Sequence, residues 1–360
     1  MDGIGEKRGV KILSLFDGMA CGMIAMQLAG VEVESYDAYE IDKYAIKAAQ
    51  HNVPMIKEHG DVFDADFTQY DGVDFLVGGS PCTYWSIAQT KNRETVASGM
   101  GWELFSQYVR ALHEAKPKYF IYENNKSMSK QIRASIDEAF GFEAVLINSV
   151  LVSAQNRQRL YWVGKRNADG TYSKVNVEQP ADRGILLKDV LDNAVAMLEK
   201  AHAVIASAGR TTEREFFTKN QGNMAAEPIN VTADGKAQCL RATCYKDGIR
   251  NIVANDVDRR TGVAEPVNAD GKEITIYEVR DGKITIKGKQ YPIKLKDGYY
   301  IIRKLTVSEC KRLQTVPEWY EFPVSSSQAY KMLGNGWTCE VIAHLIRSCL
   351  LCADGKRNEA

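Results

Sequence analysis

Strand-like and helix-like segments alternate along the first 165 residues, and this alternation restricts the fold more than any other feature of the chain. Short apolar runs typical of buried strands are followed by longer runs typical of helices. Parallel strands need a crossover, usually a helix, so the pattern predicts an α/β fold with a mostly parallel sheet and helices on both faces. The predicted strands are residues 10–16, 31–39, 73–77, 119–122, 144–152 and 160–163, and the predicted helices lie near residues 23–29, 42–50, 103–115 and 130–140.

A different pattern begins after Gly164. Residues 185–207 have a helix-like pattern, and residues 217–302 consist of short extended pieces separated by Asp-Gly pairs, which are typical of hairpin turns. Helical patterns return from Leu305, and a long apolar C-terminal helix usually packs on a core. We therefore predict that a small β-rich domain is inserted into the first domain. The predicted division is 1–165, 166–302 and 303–360, with the last segment completing the first domain.

Composition excludes several classes of protein. No run of 18 apolar residues predicts a membrane-spanning helix, and the first eight residues lack the apolar core of a secretory signal. Basic and acidic residues balance at 46 each, so a polyanion would have to bind at a local basic cleft. Eight scattered cysteines are typical of a reduced, cytoplasmic protein. The one Cys-x-x-Cys pair, Cys349 and Cys352, lies in an apolar helix pattern, so we predict packing and no metal.

Small residues follow the first predicted strand. The run Phe16-Asp17-Gly18-Met19-Ala20-Cys21-Gly22 leads into a helix, where a tight turn lets a ligand approach the backbone and the helix N-terminus favours anionic groups. Glu40 ends the second strand, where a carboxylate can accept hydrogen bonds from ribose hydroxyls, and Asp61 falls where a third strand should end. A plain turn and solvated carboxylates are the alternatives, because the strict G-x-G-x-x-G fingerprint is absent.

Three further motifs stand at the ends of predicted strands. Gly78-Gly79-Ser80-Pro81-Cys82 places a cysteine in a rigid, accessible loop, which favours a nucleophile over a packed thiol. Glu123 and Asn124 follow the next strand, where a pair of helix-capping residues is the alternative. Gln155, Arg157 and Arg159 share one face of an extended segment, which suggests anion or base contacts, or else an exposed edge strand.

The order of these motifs is more specific than any one of them. A glycine turn, Glu, Asp, Pro-Cys, Glu-Asn and Gln-x-Arg-x-Arg are followed by a variable segment and then by Gly334-Asn335. The ordered set resembles the DNA (cytosine-5)-methyltransferase family over residues 10–164 and 303–350. Residues 13–18 and 78–82 are similar to the mammalian de novo DNA methyltransferases, whereas the short chain resembles a bacterial or phage enzyme.

The resemblance implies a Rossmann-like, S-adenosylmethionine-binding catalytic domain, with residues 166–302 as a target-recognition domain. It implies that Glu40 binds the ribose, that Ile41 packs on the adenine, and that Asp61 and Val62 hold the adenine ring. The other residues implied around the cofactor are Phe16, Asp17, Gly18, Gly22, Pro81, Leu104 and Asn335. The chain departs from the family pattern at Ala20, where many members carry glycine, and at Asn125, where an apolar residue is usual.

The resemblance also implies a chemistry. Cytosine C5 is a poor nucleophile, and a thiolate that adds to C6 activates it. By resemblance Cys82 is that thiolate, Glu123 is the acid near N3, and Asn124 orients the Pro-Cys loop. Arg157 and Arg159 are placed at cytosine O2, Glu123 and phosphate. The residues that we place at the DNA are Ser86, Gln89, Gln155, Arg241 and Thr243.

The expected activity is methyl transfer to C5 of a cytosine flipped out of a specific double-stranded DNA sequence. We expect a monomer without membrane association that acts in a bacterial cytoplasm, at the nucleoid or during phage infection, alone or with a cognate restriction endonuclease. A tRNA cytosine methyltransferase is disfavoured by the long insert and by the missing Cys-Phe-Thr signature. A nonenzymatic paralogue is disfavoured by Cys82 and Glu123, and a nicotinamide-dependent dehydrogenase by the missing glycine fingerprint.

Overall fold

Two sheets organise the protein. The computed structural model describes residues 9–87, 93–229, 253–254, 266–267 and 275–351. The strands are β1 (Val10–Leu15), β2 (Val33–Tyr39), β3 (Lys57–Glu58), β4 (Phe75–Gly78), β5 (Tyr119–Asn125), β6 (Val145–Asn148), β7 (Gln155–Asn156), β8 (Gln158–Arg166), β9 (Tyr172–Lys174), β10 (Val195–Ala196), β11 (Ala201–His202), β12 (Met224–Ile229), β13 (Val253–Ala254), β14 (Pro266–Val267), β15 (Ile276–Arg280), β16 (Lys283–Ile286), β17 (Lys289–Pro292) and β18 (Gly298–Lys304). The helices are α1 (Cys21–Leu28), α2 (Lys43–Asn52), α3 (Met100–Ala115), α4 (Lys130–Phe140), α5 (Glu213–Lys219), α6 (Val307–Leu313), α7 (Ser326–Asn335) and α8 (Cys339–Leu351).

The first sheet has the strand order β3-β2-β1-β4-β5-β8-β6, with β9 paired to β8. The pairs from β3 to β5 are parallel, and β8 runs antiparallel to β5, β6 and β9. Alternate residues of each strand enter two separate cores: one face packs against α1 and α8, and the other packs against α3 and α4. The predicted α/β architecture with helices on both faces is therefore confirmed.

The C-terminal helices return to this first sheet. Ile342, Leu345 and Ile346 of α8 share a core with Ile12 of β1 and Met23 of α1. Helices α6 and α7 pack in a third core together with buried residues of α1 and α2. Helices α6, α7 and α8 therefore share hydrophobic cores with elements near the start of the chain, although the second sheet lies between them in the sequence.

The second sheet is antiparallel, with the strand order β10-β12-β18-β15-β16-β17 and a core of its own. The predicted helix over residues 185–207 is wrong. A short 3₁₀ turn at Leu187–Asp189 is followed there by β10 and β11. The apolar residues of this segment are buried without a helix: Leu187 in the 3₁₀ turn and Val204 after β11 are fully buried in the third core, and β11 pairs with β7. No helix in the described part of the chain combines the length and apolar composition that crossing a bilayer requires.

Candidate active site

A cavity of about 350 Å³ opens at the carboxyl ends of β1, β2, β4 and β5. The chain order reverses at β1, since β2 and β3 lie on one side of it and β4 and β5 on the other. Loops diverge at such a point, so open parallel sheets bind ligands there. The link between α7 and α8 closes the cavity from a distant part of the sequence. The residues that line it include Phe16, Asp17, Gly18, Glu40, Ile41, Pro81, Cys82, Glu123, Arg157, Arg159, Asn335 and Trp337.

The loop between β1 and α1 has an unusual backbone. Phe16, Gly18 and Ala20 have φ angles of 58°, 61° and 60°, in the left-handed region that favours glycine. Ala20 is fully buried and adopts this conformation without a glycine's freedom. A conformation that costs about 1 kcal/mol at a non-glycine residue persists only where its surroundings hold it, and such residues cluster at functional sites.

Asp17 carries a buried acceptor without a partner. Its Oδ1 accepts hydrogen bonds from Ser14 Oγ and Tyr36 Oη, both at 2.6 Å, while Oδ2 is buried with no hydrogen-bond partner among the described residues. Burial, reinforced by the charge of Glu40, raises the pKa of Asp17 to about 6. A buried oxygen without a donor in the wall of a cavity is suited to a cationic ligand group.

Glu40 joins two loops of the cavity. Its Oε2 accepts from the Gly18 amide at 2.8 Å, and its Oε1 accepts from the amides of Ile41 and Asp42, each at 2.8 Å. A carboxylate offers about four acceptor positions, so this one still has capacity for a ligand hydroxyl. The Ile41 side chain is 73% exposed at the mouth of the cavity, which leaves an apolar surface open for a flat ring.

Several predicted cofactor residues lie outside the described cavity wall. Gly22 is buried, and a Cβ there would stand 2.6 Å from Tyr36 Oη, so this glycine makes room for the Tyr36–Asp17 hydrogen bond. Val62 is buried, and Leu104 packs on the same core. Asp61 accepts a hydrogen bond from the Phe63 amide. The lining of the cavity in the described structure does not include Gly22, Val62 or Leu104, and their contacts with the cofactor stay predictions.

Cys82 begins a single 3₁₀ turn after β4 and is half-buried. Burial, followed by the negative charge of Glu123, raises the pKa of its thiol, whereas the charges of Arg159 and Arg157 lower it. Asn124 is buried and donates from Nδ2 to the Ser80 carbonyl at 3.2 Å. The structure thus places Asn124 against the loop that carries the thiol.

Both oxygens of Glu123 are in polar contact, one in an ion pair and one as a hydrogen-bond acceptor. Arg159 Nε lies 3.0 Å from Oε1, and the Trp337 indole Nε1 donates to Oε2 at 3.1 Å. A Cβ on Gly79 would stand 2.7 Å from the Glu123 carbonyl oxygen and 3.0 Å from Oε2, so the glycine leaves space for this carboxylate. Sequence reasoning missed Trp337. Its position two residues after the Gly334-Asn335 motif was the available signal.

The polar groups of Arg157 and Gln155 form hydrogen bonds within the protein. Arg157 is 3% exposed, and its guanidinium donates to the carbonyls of Val204 at 2.8 Å, Gly334 at 3.1 Å and Gly336 at 2.8 Å. Gln155 is fully buried, donates to the Leu313 carbonyl and to Gln314 Oε1, and accepts from the Val204 amide. The predicted DNA contact of Gln155 is therefore wrong, because its amide group is used internally.

The other residues placed at the DNA are only partly within the described residues. Ser86 is half-buried after the 3₁₀ turn of Cys82, and its amide donates to the Cys82 carbonyl at 2.9 Å. Gln89, Arg241 and Thr243 lie outside the described residues. Within the described ranges, no group of three His, Cys, Asp or Glu side chains is arranged to hold a metal ion.

Comparison with known proteins identifies the family. The model of the C-5 cytosine-specific DNA methylase family matches residues 10–351. The chain belongs to this family. It is a DNA (cytosine-5)-methyltransferase by family membership, as its motif order predicted, and this family is one of S-adenosylmethionine-dependent enzymes.

Relatives of the methyltransferase come from bacteria and phages. It is 25% identical to the orphan methyltransferase M.SPRI of Bacillus phage SPR, over 97% of this chain and 99% of the relative. It is 28% identical to the type II methyltransferase M1.ScrFI of Lactococcus lactis over 90% and 74%, and 25% identical to the type II methyltransferase M.HhaI of Haemophilus parahaemolyticus over 94% and 93%.

Solved structures share the fold of the methyltransferase. The S. pombe Dnmt2 methyltransferase aligns with a TM-score of 0.57 at 14% identity, over 96% of this chain and all of that one. The Entamoeba histolytica methyltransferase EhMeth aligns with a TM-score of 0.55 at 14% identity, over 98% of this chain and all of that one. At this identity the likeness concerns the fold, and it agrees with the predicted Rossmann-like class.

Proposed function

We propose that this chain transfers a methyl group from S-adenosylmethionine to C5 of a cytosine flipped out of double-stranded DNA, through a covalent bond between Cys82 and cytosine C6. One observation carries the proposal. The candidate nucleophile Cys82 and the candidate acid Glu123 line the same cavity as Asp17 and Glu40, the candidate cofactor residues. A methyl donor and a target base could therefore meet in one space.

The residues at one end of the cavity fit S-adenosylmethionine. Its ammonium and sulfonium groups are cationic, and the buried Asp17 Oδ2 is an acceptor that has no hydrogen-bond partner within the described ranges. Glu40 retains acceptor capacity for ribose hydroxyls, and Phe16 and Ile41 supply apolar surface for the adenine. When bound, this cofactor supplies an electrophilic methyl group.

At the other end, Cys82 would attack the base. The thiol first loses its proton to solvent. Burial and the charge of Glu123 oppose this loss because they raise the pKa of the thiol, and the charges of Arg159 and Arg157 favour it. An S–C6 bond then forms, negative charge develops in the ring, and Glu123 stabilises N3 by sharing a proton with it. C5 becomes nucleophilic and takes the methyl group. Loss of the C5 proton then expels Cys82 and restores the thiolate.

The substrate follows from the chemistry of the site. A cytosine in a duplex is inaccessible to a thiol inside a cavity, so it must be flipped out at a cost of roughly a few kcal/mol. We assign recognition of the target sequence to residues 166–302, which contain most of the second sheet. The relatives include both orphan and type II methyltransferases, so the enzyme would act on cytoplasmic DNA alone or beside a restriction endonuclease.

The test is expression of the wild type and of Cys82→Ser in a bacterium without cytosine methylation, followed by base-resolution sequencing of 5-methylcytosine. We expect one sequence context to be modified by the wild type and none by the variant. Cys349→Ala, which changes a buried cysteine of α8, is the matched control and should methylate. Unmodified DNA from folded, cofactor-binding wild-type protein would refute the proposal and direct the search to RNA.

A further inference from the structure

Trp337 contacts the proposed acid from a part of the chain that carries none of the predicted catalytic residues. Its indole Nε1 donates to Glu123 Oε2 at 3.1 Å across 214 positions of sequence. Trp337 is half-buried and packs against two of the cores, while its polar edge lines the cavity. The ring is thereby anchored on its apolar side and free to hydrogen-bond on the other.

The number of acceptor positions on Glu123 matches the needs of a cytosine. An ionised carboxylate offers about four lone-pair positions, two on each oxygen. Trp337 occupies one position on Oε2, and Arg159 forms an ion pair with Oε1. At least one position therefore remains on each oxygen. The edge of cytosine that bears a protonated N3 and the exocyclic amine presents two adjacent donors, which pair with the two remaining positions when the carboxylate lies in the plane of the base.

An indole suits the task of fixing that plane. Its N–H is a donor only, so it cannot exchange the proton that Glu123 shares with N3. A neutral imidazole at the same place could donate a similar hydrogen bond, but it could also take up a proton, so it would replace the indole only in part. Gly79 bounds the carboxylate from another side, since a Cβ there would stand 3.0 Å from Oε2. The carboxylate is therefore confined by a cation, a neutral donor and a backbone surface.

The backbone that carries Trp337 is itself held in place. Arg157 donates to the carbonyls of Gly334 and Gly336, directly before the tryptophan. The hydroxyl of Ser149 donates to Thr338 Oγ1 at 2.8 Å, directly after it. Both flanks of Trp337 are thus tied to the segment that leads into β8, the strand that carries Arg159. The hydrogen-bond donor Trp337 and the ion-pair partner Arg159 therefore depend on the same stretch of backbone for their positions.

We propose that Trp337 is a positioning residue that fixes the carboxylate plane of Glu123 for the target cytosine. The inference rests on the proposed function of the same site. It extends that function by making the C-terminal segment a direct support of the acid.

The experiment separates acid positioning from cofactor binding. Addition of Cys82 with protonation of N3 makes C5 basic, so tritium at C5 of the target cytosine exchanges with solvent without any methyl donor. The variants are Trp337→Phe, which keeps an aromatic ring without the N–H, and Trp337→His, which keeps a ring N–H. Trp319→Phe, at a 47% exposed tryptophan outside the cavity wall, is the matched control.

We expect Trp337→Phe to slow tritium exchange and single-turnover methylation about tenfold to a hundredfold, as for loss of one hydrogen bond to a charged group. Trp337→His should restore part of the rate, and Trp319→Phe should match the wild type. In the Glu123→Gln background the change at position 337 should have less effect, because the two residues act through one contact. Additive effects of the two changes would assign Trp337 to packing and overturn the inference.

Failure of the inference and failure of the proposed function give different results. Wild-type rates in Trp337→Phe, together with loss of activity in Glu123→Gln, would overturn the role of Trp337 and leave the proposed function intact. Wild-type exchange in Glu123→Gln would remove Glu123 as the acid, and the inference would fall with it. If Trp337→Phe does not fold, Trp337→His provides the test. A tritium-exchange rate of folded Trp337→His below a hundredth of the wild-type rate would contradict positioning by a hydrogen-bond donor.

Discussion

Replacement of Arg157 with methionine is expected to lower the free energy of unfolding by about 3–5 kcal/mol. Arg157 is 3% exposed, and its guanidinium supplies hydrogen bonds to three backbone carbonyls, at Val204, Gly334 and Gly336. Methionine preserves most of the side-chain volume but donates to none of them. The carbonyls of Val204 and Gly334 would then lose this donor, and that of Gly336 would keep only Gln314 Nε2 at 3.3 Å.

The magnitude follows from two opposing effects. A hydrogen bond to a charged group contributes about 1.5–3 kcal/mol, so three such bonds contribute at most about 4.5–9 kcal/mol before any compensation. The buried cation itself is costly, since burial and the neighbouring charge of Arg159 lower the pKa of Arg157 to about 10. Removal of the buried cation also removes its cost of burial, which offsets part of the free energy lost with the hydrogen bonds. The net effect is a substantial fraction of a typical total stability of about 5–15 kcal/mol.

Arg159→Met is the matched comparison. Arg159 pairs with Glu123 and is 18% exposed at its side chain, so its loss should cost about 1 kcal/mol or less of stability. Methylation per folded molecule should nevertheless fall about a hundredfold or more, because the acid loses a charged donor. Urea unfolding followed by circular dichroism measures the first quantity, and single-turnover methylation measures the second.

Two results would refute the reasoning about this pair. The first is an Arg157→Met midpoint in urea that corresponds to less than 1 kcal/mol of destabilisation. The second is a reversed order, with Arg159→Met the less stable protein. Either result would mean that the three carbonyls find other donors, or that Arg157 is not buried in solution.

Three further predictions concern the cofactor side and the glycine loop. Glu40→Ala removes the acceptor for the Gly18 amide and for a ribose hydroxyl, so the calorimetric Kd for S-adenosylmethionine should rise about tenfold to a hundredfold. In the wild type this affinity should increase as pH rises through about 6, because Asp17 must lose its proton before Oδ2 accepts from a cation, and Asp17→Asn should abolish that pH dependence. Gly79→Ala should reduce methylation about a hundredfold and stability by about 1–3 kcal/mol, since the new Cβ would meet the Glu123 carbonyl oxygen at 2.7 Å.

Controls distinguish these effects from general damage. An unchanged Kd for Glu40→Ala would place the ribose elsewhere. A pH dependence that persists in Asp17→Asn would assign it to Glu58, whose pKa burial and the charges of Asp17 and Glu40 raise to about 8. Gly141→Ala, at a φ of 79° after α4, should cost about 1 kcal/mol of stability and leave methylation per folded molecule unchanged. Normal methylation by Gly79→Ala would show that β5 can shift without moving the acid.

The sequence predicts which residues converge where their placement depends on position along a strand. Glu40 and Cys82 follow strands that the hydrophobic pattern identifies, Glu123 lies near the carboxyl end of β5, and parallel strands bring these ends to one edge. The structure places all three in one cavity wall. No knowledge of the packing was needed for that convergence, because the topology of a parallel sheet imposes it.

Prediction fails where a role depends on which partner a side chain meets. One side of an extended segment carries Gln155, Arg157 and Arg159. The first two form hydrogen bonds with buried groups of the protein, and only Arg159 contacts Glu123. Residues 185–207 show a helical pattern, but pairing with β7 and β12 keeps part of the segment extended. The spacing of residues along the chain is the same whether a side chain is buried or exposed and whether a segment is helical or extended. Long-range contacts decide between these alternatives.

The sequence by itself therefore determined the α/β class, the order of the motifs and the strand-end positions of the thiol and the acid, because hydrophobic period and chain order are local properties. Tertiary structure alone decided that Trp337 touches Glu123 and that Arg157 supports the backbone before it. Those contacts depend on how α7 and α8 dock against the first sheet. That docking joins residues about 180–210 positions apart and is set by the packing of whole cores rather than by any neighbouring residues.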